Sequence, residues 1–295
     1  MIRTVIVGFG NIGESVLEAL QKSPDFSIVG IVVTSSHLLN IEIDFPVADD
    51  INKFEDIQVA ILCTPSRMIP LLAESILSKG INTVDAYDMH SGIYELRDKL
   101  DKVAKQNNTA SITAAGWDPG TDSAVRALME IMAPKGITYT DFGPGMSMGH
   151  SVAAKAIKGV KNALSMTIPL GTGLHRRVVY VELNDDADFI GVSKLIKEDD
   201  YFAHDEIHVI QVSDIKALED KGHGVNISRK GVSGIAHNQN MKFAMSINNP
   251  ALTGQILVAC ARAVVKQSPG CYTMIEIPLI DMIQGDRESI IRRLV

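Results

Sequence analysis

Cysteine is scarce in this chain. Cys63, Cys260 and Cys271 are widely spaced and form no C-x-x-C pair. That excludes a disulfide framework and the common zinc spacings, and it predicts reduced thiols in a cytoplasmic protein. Long apolar runs are missing as well. None approaches the roughly 20 residues that a membrane-spanning helix needs, and the N-terminus lacks the layout of a secretory signal. No membrane partner is therefore expected. Positive charge is not in excess: 28 Lys and Arg stand against 35 Asp and Glu, a formal net charge of −7. This balance argues against a nucleic-acid partner. It also requires anionic ligands to be held by local donors, because the overall field repels them. Internal repeats, low-complexity stretches and long linkers are absent too.

What is present is a strand, a glycine loop and a helix in direct succession. Ile2, Val5, Ile6 and Val7 read as a buried strand, and Gly8-Phe9-Gly10-Asn11-Ile12-Gly13 is a G-x-G-x-x-G. Residues 14–21 read as a helix with Val16, Leu17 and Leu20 inward. In such a unit the first glycine permits a tight turn, the second lets the backbone approach a pyrophosphate, and the third lets helix and strand pack closely. The helix start adds free N–H groups and a positive dipole end. A glycine-rich turn that binds nothing is the alternative, and the strand–helix context favours a dinucleotide.

Strand and helix patterns then alternate. Strands are predicted over 27–33, 59–63, 83–86 and 110–114, and helices over 66–79 and 91–106. Alternation at these lengths implies a Rossmann-type, doubly wound parallel sheet with ligands outside the carboxyl ends of its strands. After about Gly120 the texture changes. A helix over 122–132 is followed by period-two runs at 138–142, 164–169, 178–183, 208–212, 225–228 and 243–247. These predict an α+β domain with an open mixed sheet. A long amphipathic helix follows Asn249, its expected N-cap, with Leu252, Ile256, Val258, Ala259 and Ala263 as core candidates, and a short helix closes the chain. The expected division is a dinucleotide-binding domain over 1–120, with 250–295 packing back on it, and a substrate-binding and dimerisation domain over 121–249.

The second strand ends at Thr34-Ser35-Ser36-His37. An Asp or Glu there would hold the ribose diol of NAD, and an Arg the 2′-phosphate of NADP. Neither is present. Hydroxyl donors from Thr34, Ser35 and Ser36 suit a phosphate, so this loop predicts weak discrimination.

Tyr87-Asp88 and Trp117-Asp118-Pro119-Gly120 follow two of the predicted strands. Two carboxylates are thus expected on one rim of the sheet. Singly, each is a common turn or capping device. Together, beside a hydride acceptor, they suggest a cationic substrate group such as an ammonium. His204 and His208 stand four apart, but a strand-like flank and the want of a third ligand argue against a metal, and none is expected.

Three motifs are more specific than the glycine loop: Gly116-Trp117-Asp118-Pro119-Gly120, the run from Phe142 to Ser151 (FGPGMSMGHS), and Asn248-Asn249-Pro250-Ala251. On these the chain resembles the meso-diaminopimelate D-dehydrogenases from end to end, in a shorter form without a long insertion between Pro169 and His175. The resemblance implies NADP-dependent, reversible oxidative deamination of the D-centre of meso-2,6-diaminopimelate to L-2-amino-6-oxopimelate and ammonia. It implies a homodimer and a place in lysine and peptidoglycan precursor metabolism.

Residue by residue, the resemblance assigns Phe9, Gly10, Asn11 and Ile12, between Gly8 and Gly13, to the pyrophosphate. Cys63, Thr64, Pro65 and Ser66 match a second nucleotide loop, with Ala86 and Tyr87 adjoining the cofactor. Asp88 and Asp118 match the carboxylates around the reacting D-amino centre, and Trp117, Phe142, Met148 and Gly149 the substrate wall. Thr167, Arg177, His223 and Asn249 match the pocket for the distal L-amino acid end. Relatives commonly carry arginines where this chain has Thr34 and Ser35, so NAD use also stays open.

The chemistry agrees with these roles. A carboxylate stabilises the iminium that hydride loss creates, and it can take a proton from the attacking water. Two other readings fit the same residues: a broader D-amino acid dehydrogenase or reductive aminase, and a dinucleotide-sensing protein without turnover.

Overall fold

Val5, Ile6 and Val7 lie at the centre of a parallel sheet that is apolar on both faces, which is why the run alternates no polar residue. The computed structural model describes residues 1–33, 43–203, 205–218 and 222–295. It divides into two units, Met1–Ala124 with Pro250–Val295, and Val125–Asn249.

In chain order the strands are β1 Ile2–Val7, β2 Phe26–Val32, β3 Val47–Ala48, β4 Val59–Leu62, β5 Asn82–Asp85, β6 Ala110–Ile112, β7 Lys135–Phe142, β8 Gly145–Met146, β9 Val160–Gly171, β10 Leu174–Leu183, β11 Glu206–Gln211, β12 Gly222–Ser233, β13 Ala236–Asn248 and β14 Gly270–Tyr272. The described helices include α1 Asn11–Gln21, α2 Ile69–Leu77, α3 Ile93–Gln106, α4 Thr121–Met132, α5 Met148–Lys155, α6 Phe189–Glu198 and α7 Asn249–Val264.

The first unit holds a seven-stranded sheet in the order β14-β6-β5-β4-β1-β2-β3, parallel throughout. Apart from β14 this is the strand order of a dinucleotide-binding sheet, with its crevice where the order reverses between β1 and β4. Ile6, Ile31, Ile61 and Val84 face α1 and α7, where Val16, Leu20, Leu257 and Ala261 meet them. Val5, Val7, Ala60 and Leu62 point to the other face, against Leu77 of α2 and Leu100 of α3. This is the two-residue period of a strand covered on both sides.

Two features of this unit depart from the sequence reading. β14 pairs with β6 from Gly270↔Ala110 to Tyr272↔Ile112, and three residues are too few to show a pattern. In α7 the expected Val258 and Ala263 are fully buried, but so are Leu257, Cys260, Ala261 and Val264, while Ile256 and Ala259 pack half-buried against that core and Leu252 is half-buried. The helix also includes Asn249 itself rather than starting after it. α7 crosses α1 closely: a Cβ on Gly254 would stand 2.8 Å from the Ser15 carbonyl carbon.

The second unit holds two sheets where the sequence predicts one. β11-β10-β9-β8 is mixed, with β10 and β11 parallel, and β13-β12-β7 is antiparallel. Its strands also outrun their apolar cores, up to 13 residues in β13, because hairpin ladders continue through polar residues to the turns at Gly171-Thr172-Gly173 and Gly234-Ile235. α5 and α6 contribute Ala154, Val192 and Ile196 to a core shared with Val179 and Val181 of β10. No helix among the described residues is long and apolar enough to cross a membrane.

Candidate active site

The glycine loop sits where β1 and β4 end. Gly8 has φ +96, and a Cβ there would lie 2.6 Å from the Cys63 carbonyl oxygen. A Cβ on Gly13 would lie 2.3 Å from the Gly8 carbonyl oxygen. These two glycines are therefore required by the chain's own packing. Gly10 differs, because a Cβ there would meet nothing within 4 Å. Space is thus left over the backbone at the start of α1, and no side chain caps that helix. Phe9 and Ile12 turn partly into the core, so their backbone groups rather than their side chains front this space.

On the loop after β4, Thr64 Oγ1 is buried with no hydrogen-bond partner among the described residues. An uncapped helix N-terminus, open space at Gly10 and an unpaired buried hydroxyl fit a pyrophosphate-bearing ligand. Burial pushes the Cys63 thiol far up, so this residue offers its backbone and not a thiolate. Thr34, Ser35, Ser36 and His37 lie outside the described residues.

The two carboxylates follow neighbouring strands, Asp88 after β5 and Asp118 after β6. Ser66 Oγ donates to Asp88 Oδ1 at 2.6 Å, and the Asp88 N–H donates back to Ser66 Oγ at 3.2 Å. Ser66 thereby links the predicted nucleotide loop to a predicted catalytic group. The His90 imidazole Nε2 lies 3.9 Å from Asp118 Oδ1, a neighbour that the sequence reading did not single out. Trp117 is buried. The Tyr87 ring packs in the core with Leu96 and Leu100 rather than standing at the loop surface, and burial raises its pKa. Ala86 is half-buried beside it, and Pro65 is exposed.

In the second unit, Arg177 of β10 stands opposite Thr167 of β9 in the antiparallel register. Its Nη1 donates to Thr167 Oγ1 at 2.7 Å, and its Nε donates to Asp205. Asp205 also lies 3.8 Å from His150 Nε2, and His150 Nδ1 is 2.8 Å from Ser147 Oγ. His223 is buried, and Gly224 N–H donates to its Nδ1 at 2.8 Å. Burial first, then the positive field of Arg177, holds the His223 pKa below that of a free imidazole. Asn249 Nδ2 donates to the Met146 carbonyl at 3.3 Å. The Phe142 N–H donates to His175 Nε2 at 2.7 Å, and the two rings lie 5.4 Å apart. Met148 and Gly149 open α5.

Thr167, Arg177 and His223 are thus brought together, with Asp205, His150 and His175 added to them. The sequence assigns Asp205 no role. The parallel β10–β11 ladder places it beside Arg177, and no local pattern announces that. Among the described residues no group of three or more His, Cys, Asp or Glu can hold a metal. His204 lies outside the described residues, and His208 bonds Glu206 at 3.0 Å on the surface.

A family model described as the diaminopimelic acid dehydrogenase C-terminal domain matches residues 116–176. The chain is 57% identical to meso-diaminopimelate D-dehydrogenase of Bacteroides fragilis, across 100% of this chain and 99% of that protein. Among solved structures, the C. glutamicum DAP dehydrogenase in complex with DAP has a TM-score of 0.88 at 29% identity, covering 100% of this chain and 99% of that one. An engineered D-amino acid dehydrogenase bound to NADP+ has a TM-score of 0.91 at 28% identity, with the same coverage.

Proposed function

The chain belongs to the meso-diaminopimelate D-dehydrogenase family, oxidoreductases with a dinucleotide-binding fold, and from that premise we propose that it oxidatively and reversibly deaminates the D-centre of meso-2,6-diaminopimelate with NADP. The products are L-2-amino-6-oxopimelate and ammonia, precursors in lysine and peptidoglycan metabolism. The observation that carries this reading is the pair Asp88 and Asp118 at the carboxyl ends of adjacent strands in a dinucleotide-binding sheet. When bound, the nicotinamide supplies a hydride acceptor.

The chain's own residues do the rest. Loss of hydride leaves an iminium on the substrate, and the two carboxylates stabilise that cation by fixed negative charge. One of them accepts a proton from water as it adds to the carbon, and the carbinolamine then releases ammonia. Asp88 and Asp118 act as a pair in this proposal. The Gly8–Gly13 loop, Cys63 to Ser66 and the Ala86-Tyr87 backbone hold the cofactor, with Thr34, Ser35 and Ser36 at its 2′-phosphate. Trp117, Phe142, Met148 and Gly149 wall the substrate.

The distal L-amino acid end goes to Arg177, Thr167, His223 and Asn249. A guanidinium fork matches a carboxylate, and a neutral His223, as its burial favours, has Nε2–H to donate while Nδ1 accepts the Gly224 N–H, without adding charge. Such a site discriminates against substrates that lack the distal groups, because they forgo its charge-assisted hydrogen bonds. We also propose that residues 121–249 form the substrate and dimerisation domain of a cytoplasmic homodimer. Exposed Ile131, Ile137 and Tyr139 in that stretch supply apolar surface for a partner copy.

The test is NADPH formation with the separate diaminopimelate isomers. The meso isomer should turn over and the L,L isomer scarcely at all. Equal rates on both would refute the stereochemical assignment, and turnover of simple D-amino acids at the meso rate would refute the distal pocket. Rates with NAD and NADP at matched low concentrations measure the cofactor preference.

A further inference from the structure

Asp85 ends β5 and has no exposed surface. Its Oδ1 accepts three hydrogen bonds: from the Tyr87 N–H at 3.0 Å, the Thr113 hydroxyl at 2.8 Å and the Ala114 N–H at 3.2 Å. Its backbone carbonyl accepts another from the Ala115 N–H at 2.8 Å. These donors belong to two separate loops. Tyr87 immediately precedes Asp88. Thr113, Ala114 and Ala115 lead directly into Gly116-Trp117-Asp118. One buried carboxylate therefore fastens the roots of both carboxylate-bearing turns.

The second loop needs such a fastening. Ala114 has φ +54, a left-handed conformation that a residue with a Cβ rarely adopts. Its N–H is one of the three donors to Asp85, so the carboxylate holds the chain in the turn that redirects it toward Asp118. Without that acceptor, Ala114 has reason to relax into an ordinary region, and the residues after it would swing. Asp85 Oδ2, by contrast, is buried with no partner among the described residues. A carboxylate with one oxygen saturated and the other unpaired is a costly way to fill a core. Its use here matches a need for a strong acceptor rather than for stability. Burial pushes the Asp85 carboxyl up to about 6, which still leaves it mainly ionised at neutral pH.

We propose that Asp85 is the positioning residue that sets Asp88 and Asp118 relative to one another for deamination. The role in turnover rests on the assignment of those two carboxylates above, whereas the fastening of the two loops does not.

The experiment compares the full-length parent with Asp85→Ala, Asp85→Asn and Thr113→Val. Three readouts are taken: kcat and KM with meso-diaminopimelate, NADPH affinity by fluorescence, and backbone amide exchange by mass spectrometry. Asp85→Ala should lower kcat by about 100-fold while NADPH affinity falls by no more than about tenfold, since the Ala86-Tyr87 contact loosens but the glycine loop is fastened elsewhere. Exchange should accelerate in peptides spanning 86–88 and 113–118, with β1 and β4 still protected. Asp85→Asn retains a carbonyl oxygen for the same donors and should restore kcat to within about tenfold of the parent.

Thr113→Val removes one donor at nearly constant volume. It should lower kcat in the same direction by a smaller factor, and it keeps the question decidable if Asp85→Ala does not fold. The proposal is overturned if Asn and Ala lower kcat equally, if NADPH affinity falls in step with kcat, or if exchange in both loops is unchanged. A parent protein without diaminopimelate turnover would refute the proposed function instead, and loop exchange would then still decide whether Asp85 fastens the two turns.

Discussion

Replacing Asp85 by Asn should remove a pH-dependent cost from the fold. The buried carboxyl sits at about 6 against 3.8 for a free one, because desolvation opposes the charged form more than its hydrogen bonds favour it. Between those two values the folded chain keeps a proton that the unfolded chain has already lost. The parent's stability therefore falls as pH rises across that window and is level above it. A shift of about two units corresponds to about 3 kcal/mol in total, of which about 2 kcal/mol falls between about pH 4.5 and about pH 7.5.

Asn has no such titration. The difference in unfolding free energy, parent minus Asn variant, should thus move by about 2 kcal/mol in the variant's favour over that range. The other carboxylates are common to both proteins and cancel in the subtraction. Cys260 and Cys271 do not enter, because burial pushes both thiols up to about 12. Urea titrations followed by the fluorescence of the single tryptophan, Trp117, supply the measurement at each pH. A parent–variant difference that is flat with pH, or that moves in the parent's favour as pH rises, refutes the reasoning.

Four further outcomes are expected. Arg177→Ala should raise KM for diaminopimelate by about 10- to 100-fold, the worth of a charge-assisted hydrogen bond, with KM for NADP nearly unchanged; steady-state kinetics check this, and a parallel rise in both removes Arg177 from the distal pocket. His175 accepts the Phe142 N–H at Nε2, and burial together with the field of Arg177 lowers its pKa below 6.5. Its contribution is complete above about pH 6.5 and is lost as pH falls from there toward the lowered folded value, so His175→Leu should lose less stability than the parent between about pH 7.5 and about pH 5.5 in urea titrations. Gly10→Ala should melt like the parent but bind NADPH at least about tenfold more weakly, because a methyl there meets no protein atom and intrudes on the ligand's space. Gly254→Ala should instead lower stability by about 1–3 kcal/mol, since its methyl would press on the backbone of α1. Thermal melts and fluorescence titrations separate the two glycines.

Much of the first unit was legible in consecutive residues. A run such as Thr4-Val5-Ile6-Val7 followed by Gly8 and an amphipathic helix describes a buried parallel strand and its crossover without reference to anything distant. The turns bearing Asp88 and Asp118 were located by the same local logic, since each directly follows an apolar run. The family was readable from three short motifs. Position-by-position roles were less so: Tyr87 reads like a loop residue, yet its ring fills a core position, and the bond from Ser66, which the resemblance assigns to the nucleotide, to Asp88 has no sequence signal.

What the sequence alone determined about this protein is therefore whatever a few neighbouring residues can specify: the parallel dinucleotide-binding sheet, the sites of its loops and the family. Only the tertiary structure decided which distant groups meet. It added β14 to the edge of the first sheet, split the second unit into two sheets, set Asp205 beside Arg177 across 28 positions and seated His175 under the Phe142 amide across 33. It also gave Asp85 its donors from two loops. The physical reason is that a strand's local pattern specifies which face it buries but not which distant strand it pairs with. The choice among them is made by simultaneous burial and hydrogen-bond satisfaction over the whole unit, and no short window of sequence contains that sum.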